Sequence, residues 1–393
     1  MATAVDHPGR RKVFGKPWVV PAVAATAVVA TAVAVPLIAD ADSDLPERSA
    51  AELFAGLARA PEVPFAGTLV YSADLGLPDL SAFTDDDSTT PWSLLSGATT
   101  ARIWYSDLDT FRIALHGELS ETDLIRDGDS FWYWDSDENT VTHLDAPASQ
   151  EDPAGGLFGA DMGRALGSSD VVAQLAMHWL APTTEISVDG TATVAGRPAY
   201  ELVIAPRDEQ SLIGSIRVAI DGEHGVPLRI QVHSTDGGDP AIEVGFTSVS
   251  FKEPDPSVYE FTPPPGASTE ELDLDSWLSA HEEHDPFGGA PLGTDEMAVD
   301  VVGESWTSVL IVDGVDPARL AAQLEKLSTE SDKDVGDVAG AVGALLSQMR
   351  PVGGPYGSGL ALESRLLSIL LLDDGRLFAG AVSLEALEEA AAD

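Results

Sequence analysis

Cysteine is absent from the 393 residues. That excludes disulfides, thiolate metal sites, a cysteine nucleophile and the cysteine that carries a lipoprotein's diacylglycerol. Basic residues are scarce: 21 Lys and Arg stand against 65 Asp and Glu, a formal net charge of −44. Affinity for nucleic acid comes from Lys and Arg against phosphate, so nucleic acid is not expected as a partner. The acidic surplus reads as a solubility surface or an adaptation to salt. No Gly-x-Ser-x-Gly nucleophile elbow occurs. The run Gly353-Gly354-Pro355-Tyr356-Gly357-Ser358-Gly359 lacks the Lys-Ser/Thr of a phosphate loop, and Pro355 removes a backbone donor. It reads as a loop between a helix and a hairpin. The eight histidines are scattered. His281-Glu282-Glu283-His284-Asp285 places its histidines at i and i+3, not the i and i+4 of a zinc helix. With carboxylates so abundant, no acid–base pair stands out. The chain is read as a binding protein rather than an enzyme, with no metal site and no cofactor.

Long apolar runs are also missing, with one exception. Pro17 to Ala39 carries no charge and follows Arg10, Arg11, Lys12 and Lys16. At 1.5 Å per residue these positions span about 34 Å as a helix, enough to cross a bilayer core. The positive flank stays in the cytoplasm, which exports everything from Asp40 onward. Ala32-Val33-Ala34 and Ala39-Asp40-Ala41 loosely fit a signal-peptidase site. The run is long for a signal peptide, so a single-pass anchor in the cell membrane is favoured. Cleavage would instead give a secreted protein.

What remains is rich in strand signals. A helix is expected from Leu45 to Ala60, with Ser49 and Glu52 as a capping box and Leu53, Phe54 and Leu57 as its apolar stripe. Phe65–Tyr71 alternates as a strand, with Phe65, Leu69 and Tyr71 on one face. Gly76 to Gly97 is a long loop tipped by Asp85-Asp86-Asp87. That tip could hold a hard cation but reads first as a solvated turn. From Ala98 strands recur at about ten-residue spacing, interrupted only by a Pro- and Gly-rich stretch and a short helix at Ser169–Leu180. About eleven antiparallel strands are expected, enough to curl into a barrel or half-barrel. The centre of this meander is Phe131-Trp132-Tyr133-Trp134, between the turns Asp127-Gly128-Asp129 and Asp135–Asn139. Neighbouring strand side chains point to opposite faces, so Phe131 and Tyr133 go one way and the two tryptophans the other. Both faces then need apolar cover, by core on one side and by a greasy ligand on the other.

Three stretches resemble the LolA/LolB-like family of bacterial lipoprotein carriers, which includes the RseB/MucB sigma-factor regulators. Phe65–Tyr71 is similar to the family's first strand. Asp127–Asp135 is similar to its "DG, then W-x-Y-D/N" hairpin. Asp255-Pro256-Ser257-Val258-Tyr259-Glu260-Phe261-Thr262-Pro263-Pro264-Pro265-Gly266 is similar to its closing "D-P-S, F-x-F, T-P-P-x-G" signature. The resemblance implies a mainly β, α+β chain: a curved antiparallel half-barrel closed by helices over an apolar cavity for acyl chains. Its cavity would be lined by Leu69, Tyr71, Trp104, Ile113, Trp132, Trp134, Leu202 and Ile204. The implied function is extracytoplasmic binding of lipid or lipoprotein acyl chains. The alternative is envelope-stress regulation through contact with an anti-sigma factor or another envelope protein. The expected organisation is a basic tail to residue 16, the apolar run 17–39, a half-barrel over 40–268, an acidic linker over 269–296 and a small α+β domain from 297. In that last part Val299–Asp313 is read as one strand and Pro317–Leu327 and Asp334–Met349 as helices. A hairpin of Leu360–Leu372 and Arg376–Ser383 and a final helix at Leu384–Ala392 complete it.

Overall fold

The computed structural model describes residues 45–57, 63–77, 96–117, 120–145, 181–272, 298–315, 343 and 345–392. The apolar run at 17–39, the Asp85–Asp87 tip, the helix at 169–180, the histidine cluster at 281–285 and the helix at 317–327 lie outside them. So does most of the helix expected at 334–349. Among the described residues no helix is long and apolar enough to cross a membrane.

Twelve strands form one curved open sheet that does not close into a barrel. The first six are β1 (Phe65–Asp74), β2 (Ser96–Asp107), β3 (Thr110–His116), β4 (Glu121–Asp127), β5 (Ser130–Asp135) and β6 (Thr140–Asp145). Five more follow: β7 (Thr184–Val194), β8 (Arg197–Pro206), β9 (Ile213–Asp221), β10 (Pro227–Ser234) and β11 (Ile242–Ser250). β12 (Ser268–Leu272) ends the series. Their order is 12-6-5-4-3-2-1-11-10-9-8-7, so the first strand sits inside the sheet, between β2 and the late strand β11. Hairpins at Gly128, Gly196 and Gly225, all at positive φ, set the register of the meander.

β12 corrects the expected boundary at 268. Ser268–Leu272 pairs in parallel with β6, Ser268 opposite Thr140 and Leu272 opposite Leu144. The sheet therefore runs into the segment expected to be linker. Ser-Thr-Glu-Glu-Leu has no apolar alternation, but an edge strand held by backbone pairing needs none.

Helix α1 (Ala50–Leu57) begins as the capping box requires. Glu52 N–H donates to Ser49 Oγ (3.3 Å), and Ser49 N–H donates to Glu52 Oε2 (2.8 Å). These bonds satisfy donors that the first helical turn leaves open. Leu53 is buried, with Phe54 and Leu57 half-buried beside it, over a core of Tyr71, Tyr200, Leu202, Ile216 and Val218. The Tyr200 hydroxyl donates to the Pro46 carbonyl (2.5 Å) and ties the helix entry to β8.

A second sheet of six strands has the order β13-β14-β18-β17-β16-β15. These are β13 (Ala298–Val302), β14 (Val309–Asp313), β15 (Arg350–Gly354), β16 (Gly357–Glu363), β17 (Ser368–Leu372) and β18 (Arg376–Gly380), with helix α2 (Leu384–Ala392) packed on them. Two expected strands are each divided. Val299–Asp313 breaks at Gly303, whose φ of +81° suits glycine alone and leads into a 3-10 turn at Ser305–Thr307. Leu360–Leu372 breaks at a turn closed by Ser364 N–H to Leu367 O (2.8 Å). The glycine-rich stretch is a hairpin, not a loop: Gly353 opposes Ser358, and a side chain at Gly359 would lie against the Leu371 carbonyl.

The two sheets meet. Trp306, in the 3-10 turn, is buried in the core of the large sheet, and its Nε1 donates to Thr184 Oγ1 (2.7 Å). Leu212 N–H donates to Ala381 O (2.9 Å), and Arg365 donates to the Asp239 carbonyl (2.5 Å) beyond β10.

Candidate functional site

Cross-strand register divides the large sheet into two faces of different chemistry, because directly paired residues share a face. On the first, Ile103, Ile113, Leu124 and Tyr133 are successive partners across β2 to β5. The three aliphatic side chains are half-buried and Tyr133 is 38% exposed. Leu69 and Phe131 lie beside this row, also half-buried. The same face continues across β1 and β11 to Ile230, Ile204 and Ile186, again half-buried, next to the core under α1.

On the opposite face the row is Trp104, Arg112, Ile125, Trp132, His143 and Glu271. Here charged and aromatic side chains lie together on one face. The guanidinium groups of Arg102 and Arg112 lie 4.9 and 5.6 Å from the Trp104 ring. The Arg112 guanidinium pairs with Asp123, which is wholly buried: Nε donates to Oδ1 (3.2 Å), and a second bond joins Nη2 to Oδ2. His143 stacks on Trp132 at 3.8 Å between centroids, and its Nδ1 lies 2.7 Å from Glu271 Oε2. The closing segment covers this face. Phe261 sits 5.5 Å from Trp132 and 6.4 Å from Trp134, and Arg112 Nη1 donates to the Val258 carbonyl (3.2 Å). Asp255 starts that segment by accepting from Ser257 N–H (3.0 Å) and Oγ (2.7 Å) around a 3-10 turn, Pro256–Val258. The hairpin and closing motifs named above therefore pack on each other.

The eight residues expected to line one cavity are split by this geometry. Leu69, Tyr71, Ile113, Leu202 and Ile204 share the aliphatic face; Trp104, Trp132 and Trp134 are on the other. A single hollow cannot include both sets. Among the first five, Tyr71 and Leu202 are core beneath α1, at 4% and 0% exposure, while Leu69, Ile113 and Ile204 are half-buried. Ile103, Leu124 and Phe131 join the half-buried group. The sequence reading did not single out these three as lining, and the face they share shows only in the pairing. Among the described residues no three His, Asp or Glu side chains converge where a metal could sit.

Burial pushes the hydroxyls of Tyr71 and Tyr259 up to about 12. For an acid raised in the folded chain, the stabilisation is complete below its unfolded value near 10 and is lost as pH rises from there to about 12. A phenolate absorbance titration of the folded chain should leave at least these two of the six tyrosines un-ionised at pH 11, about one unit past the unfolded value; burial also raises Tyr105 and Tyr356. In denaturant all six should titrate together; the same behaviour in the folded chain would refute their burial.

Known structures are similar to this chain at low scores. The complex of Pseudomonas aeruginosa MucA and MucB matches at 16% identity and a TM-score of 0.40, covering 87% of this chain and 96% of that one. An uncharacterized conserved protein from Thermus thermophilus matches at 11% identity and 0.32, covering 56% and 98%. A LolA superfamily protein from Nitrosomonas europaea matches at 8% identity and 0.21, covering 55% and 99%. Scores this low leave function to be argued from the chain's own residues. No curated protein matches. Residues 81–272, just under half of the chain, match the model of a family described as "Predicted periplasmic protein (DUF2092)".

Proposed function

We propose that this chain is an envelope protein, outside the cytoplasm, that binds lipid or lipoprotein acyl chains on the aliphatic face of its large sheet. The row Ile103, Ile113, Leu124 and Tyr133 carries the reading: four neighbouring strands present apolar side chains on one face, none of them fully buried. An acyl chain laid along it gains about 0.8 kcal/mol per buried CH₂, so affinity needs no catalytic group and little polar contact. The family description of residues 81–272 supports the compartment. The tryptophan face is a poorer candidate, because Phe261, His143 and Arg112 already occupy its indoles.

The test is a photoactivatable fatty acid incubated with the full chain, with labelled positions mapped by mass spectrometry. Label is expected on β2 to β5 at side chains of the aliphatic face. Ile113→Asp should reduce it about tenfold, since a charge facing hydrocarbon costs at least one decade of affinity. Label on Trp104 or Trp132 with none on Ile113 or Leu124 would move the site to the other face. No labelling would sink lipid binding and leave the sheet as a surface for protein contact.

A further inference from the structure

The described residues show four outer strands, and three of them are blunted. β12 carries Glu270 and Glu271; β15 carries Arg350 and Pro351; β7 carries Glu185 and Asp189 and a register shift between Val188 and Thr191. Such devices stop a sheet edge from recruiting another strand. β13 is different. It reads Ala-Val-Asp-Val-Val, with Val299 52% and Val302 38% exposed, and among the described residues nothing pairs with its outer side. Its one charged residue is Asp300, whose Oδ1 accepts from the Val301 N–H (2.9 Å). That amide therefore points away from β14. In an antiparallel ladder alternate residues face the same side, so Val299 and Val301 offer their N–H and C=O groups to the open edge. Asp300 is a removable plug on that edge.

We infer that the outer edge of β13 takes an extended cationic peptide strand from another protein. An incoming carbonyl would accept from Val301 N–H in place of Asp300. The released carboxylate would then pair with a Lys or Arg of the peptide, so the plug becomes the selectivity element. Apolar peptide residues would lie beside Val299. A second copy of this chain fits poorly. Antiparallel pairing centred on Asp300 would set two aspartates directly opposite each other, and each chain already carries a net charge of −44.

The probe is a labelled Lys-Val-Lys-Val-Lys-Val peptide, with Glu-Val-Glu-Val-Glu-Val as its control. Fluorescence anisotropy is read against the full chain in about 0.15 M salt, which screens nonspecific attraction. The cationic peptide should bind and the anionic one should not. Val301→Pro removes the outward donor without taking a bond from the ladder with β14. It should weaken binding about tenfold, the loss of one backbone hydrogen bond, while circular dichroism stays native. If that variant does not fold, Asp300→Lys serves instead: it should reverse the preference toward the anionic peptide. Equal binding by the wild type and Val301→Pro, or no reversal with Asp300→Lys, would show ordinary attraction to an acidic surface and overturn the inference. Self-association lost on Val301→Pro would overturn it in favour of a second copy.

Discussion

Trp306→Ala should destabilise the chain by about 3–5 kcal/mol, the range for truncating a large buried aromatic. The indole comes from the second sheet, yet it is 3% exposed and packs in the core of the first, with Tyr71, Tyr200 and Leu202. Truncation leaves a cavity there and strips Thr184 Oγ1 of the donor that Trp306 supplies at 2.7 Å. The other bridges, among them Leu212 to Ala381, Ser383 to Gln210, Thr183 to Ser305 and Arg365 to Asp74 and Asp239, are hydrogen bonds that cannot fill that volume. Denaturant unfolding should therefore show the midpoint drop and the single transition broaden or split as the two sheets uncouple. Trp306→Phe separates the two contributions. It keeps most of the packing and loses the hydrogen bond, and should cost about 1–2 kcal/mol. If Trp306→Ala melts like the wild type, the sheets do not depend on this contact and the shared core is wrong.

That shared core was invisible in the sequence. Val299–Asp313 reads as one strand because Val299–Val302 and Val309–Val312 satisfy strand propensity at both of its ends. The break is set by Gly303 at φ +81° and Ser305 at φ +56°, conformations that propensity does not report. Local patterns were easier to read. The capping box at Ser49 and Glu52, the turn at Gly128 and the opposite facing of Phe131 and Trp132 depend only on neighbours in the chain, and they appear as the residues imply. The candidate site was harder. Alternation tells which residues of one strand share a face, but not which face of the next strand they join. Register shifts at Thr68/Leu69 and Val188/Thr191 reset that parity across the sheet. Between β2 and β3 the register is unbroken, yet the sequence does not show which residues pair: Trp104 and Ile113 are expected on one face, and pairing puts Trp104 opposite Arg112, on the other side. β12 was missed for a related reason: an acidic edge strand displays no periodicity, and its parallel partner is remote in sequence.

Arg112 carries the second large effect, because its side chain joins β3, β4 and the closing segment. It meets the buried carboxylate of Asp123 with two donors and the Val258 carbonyl with a third (3.2 Å), while Trp104 lies against its guanidinium. Arg112→Met keeps the stem and roughly the volume but leaves Asp123, at 0% exposure, without its counter-ion. Breaking a buried pair in this way costs about 3–5 kcal/mol, because the surviving charge stays desolvated. Arg112→Met with Asp123→Leu removes both charges and should recover most of that loss, since the stranded carboxylate rather than the absent attraction dominates the cost. The double variant still lacks the bond to Val258. Phe261 should then sit less firmly on Trp132 and Trp134, and their fluorescence should shift to the red even though the melting point returns. Stability and fluorescence recovering together would mean that the segment from Asp255 to Gly266 holds its place without Arg112. A loss below about 1 kcal/mol in Arg112→Met alone would mean that water reaches Asp123, as at a surface ion pair.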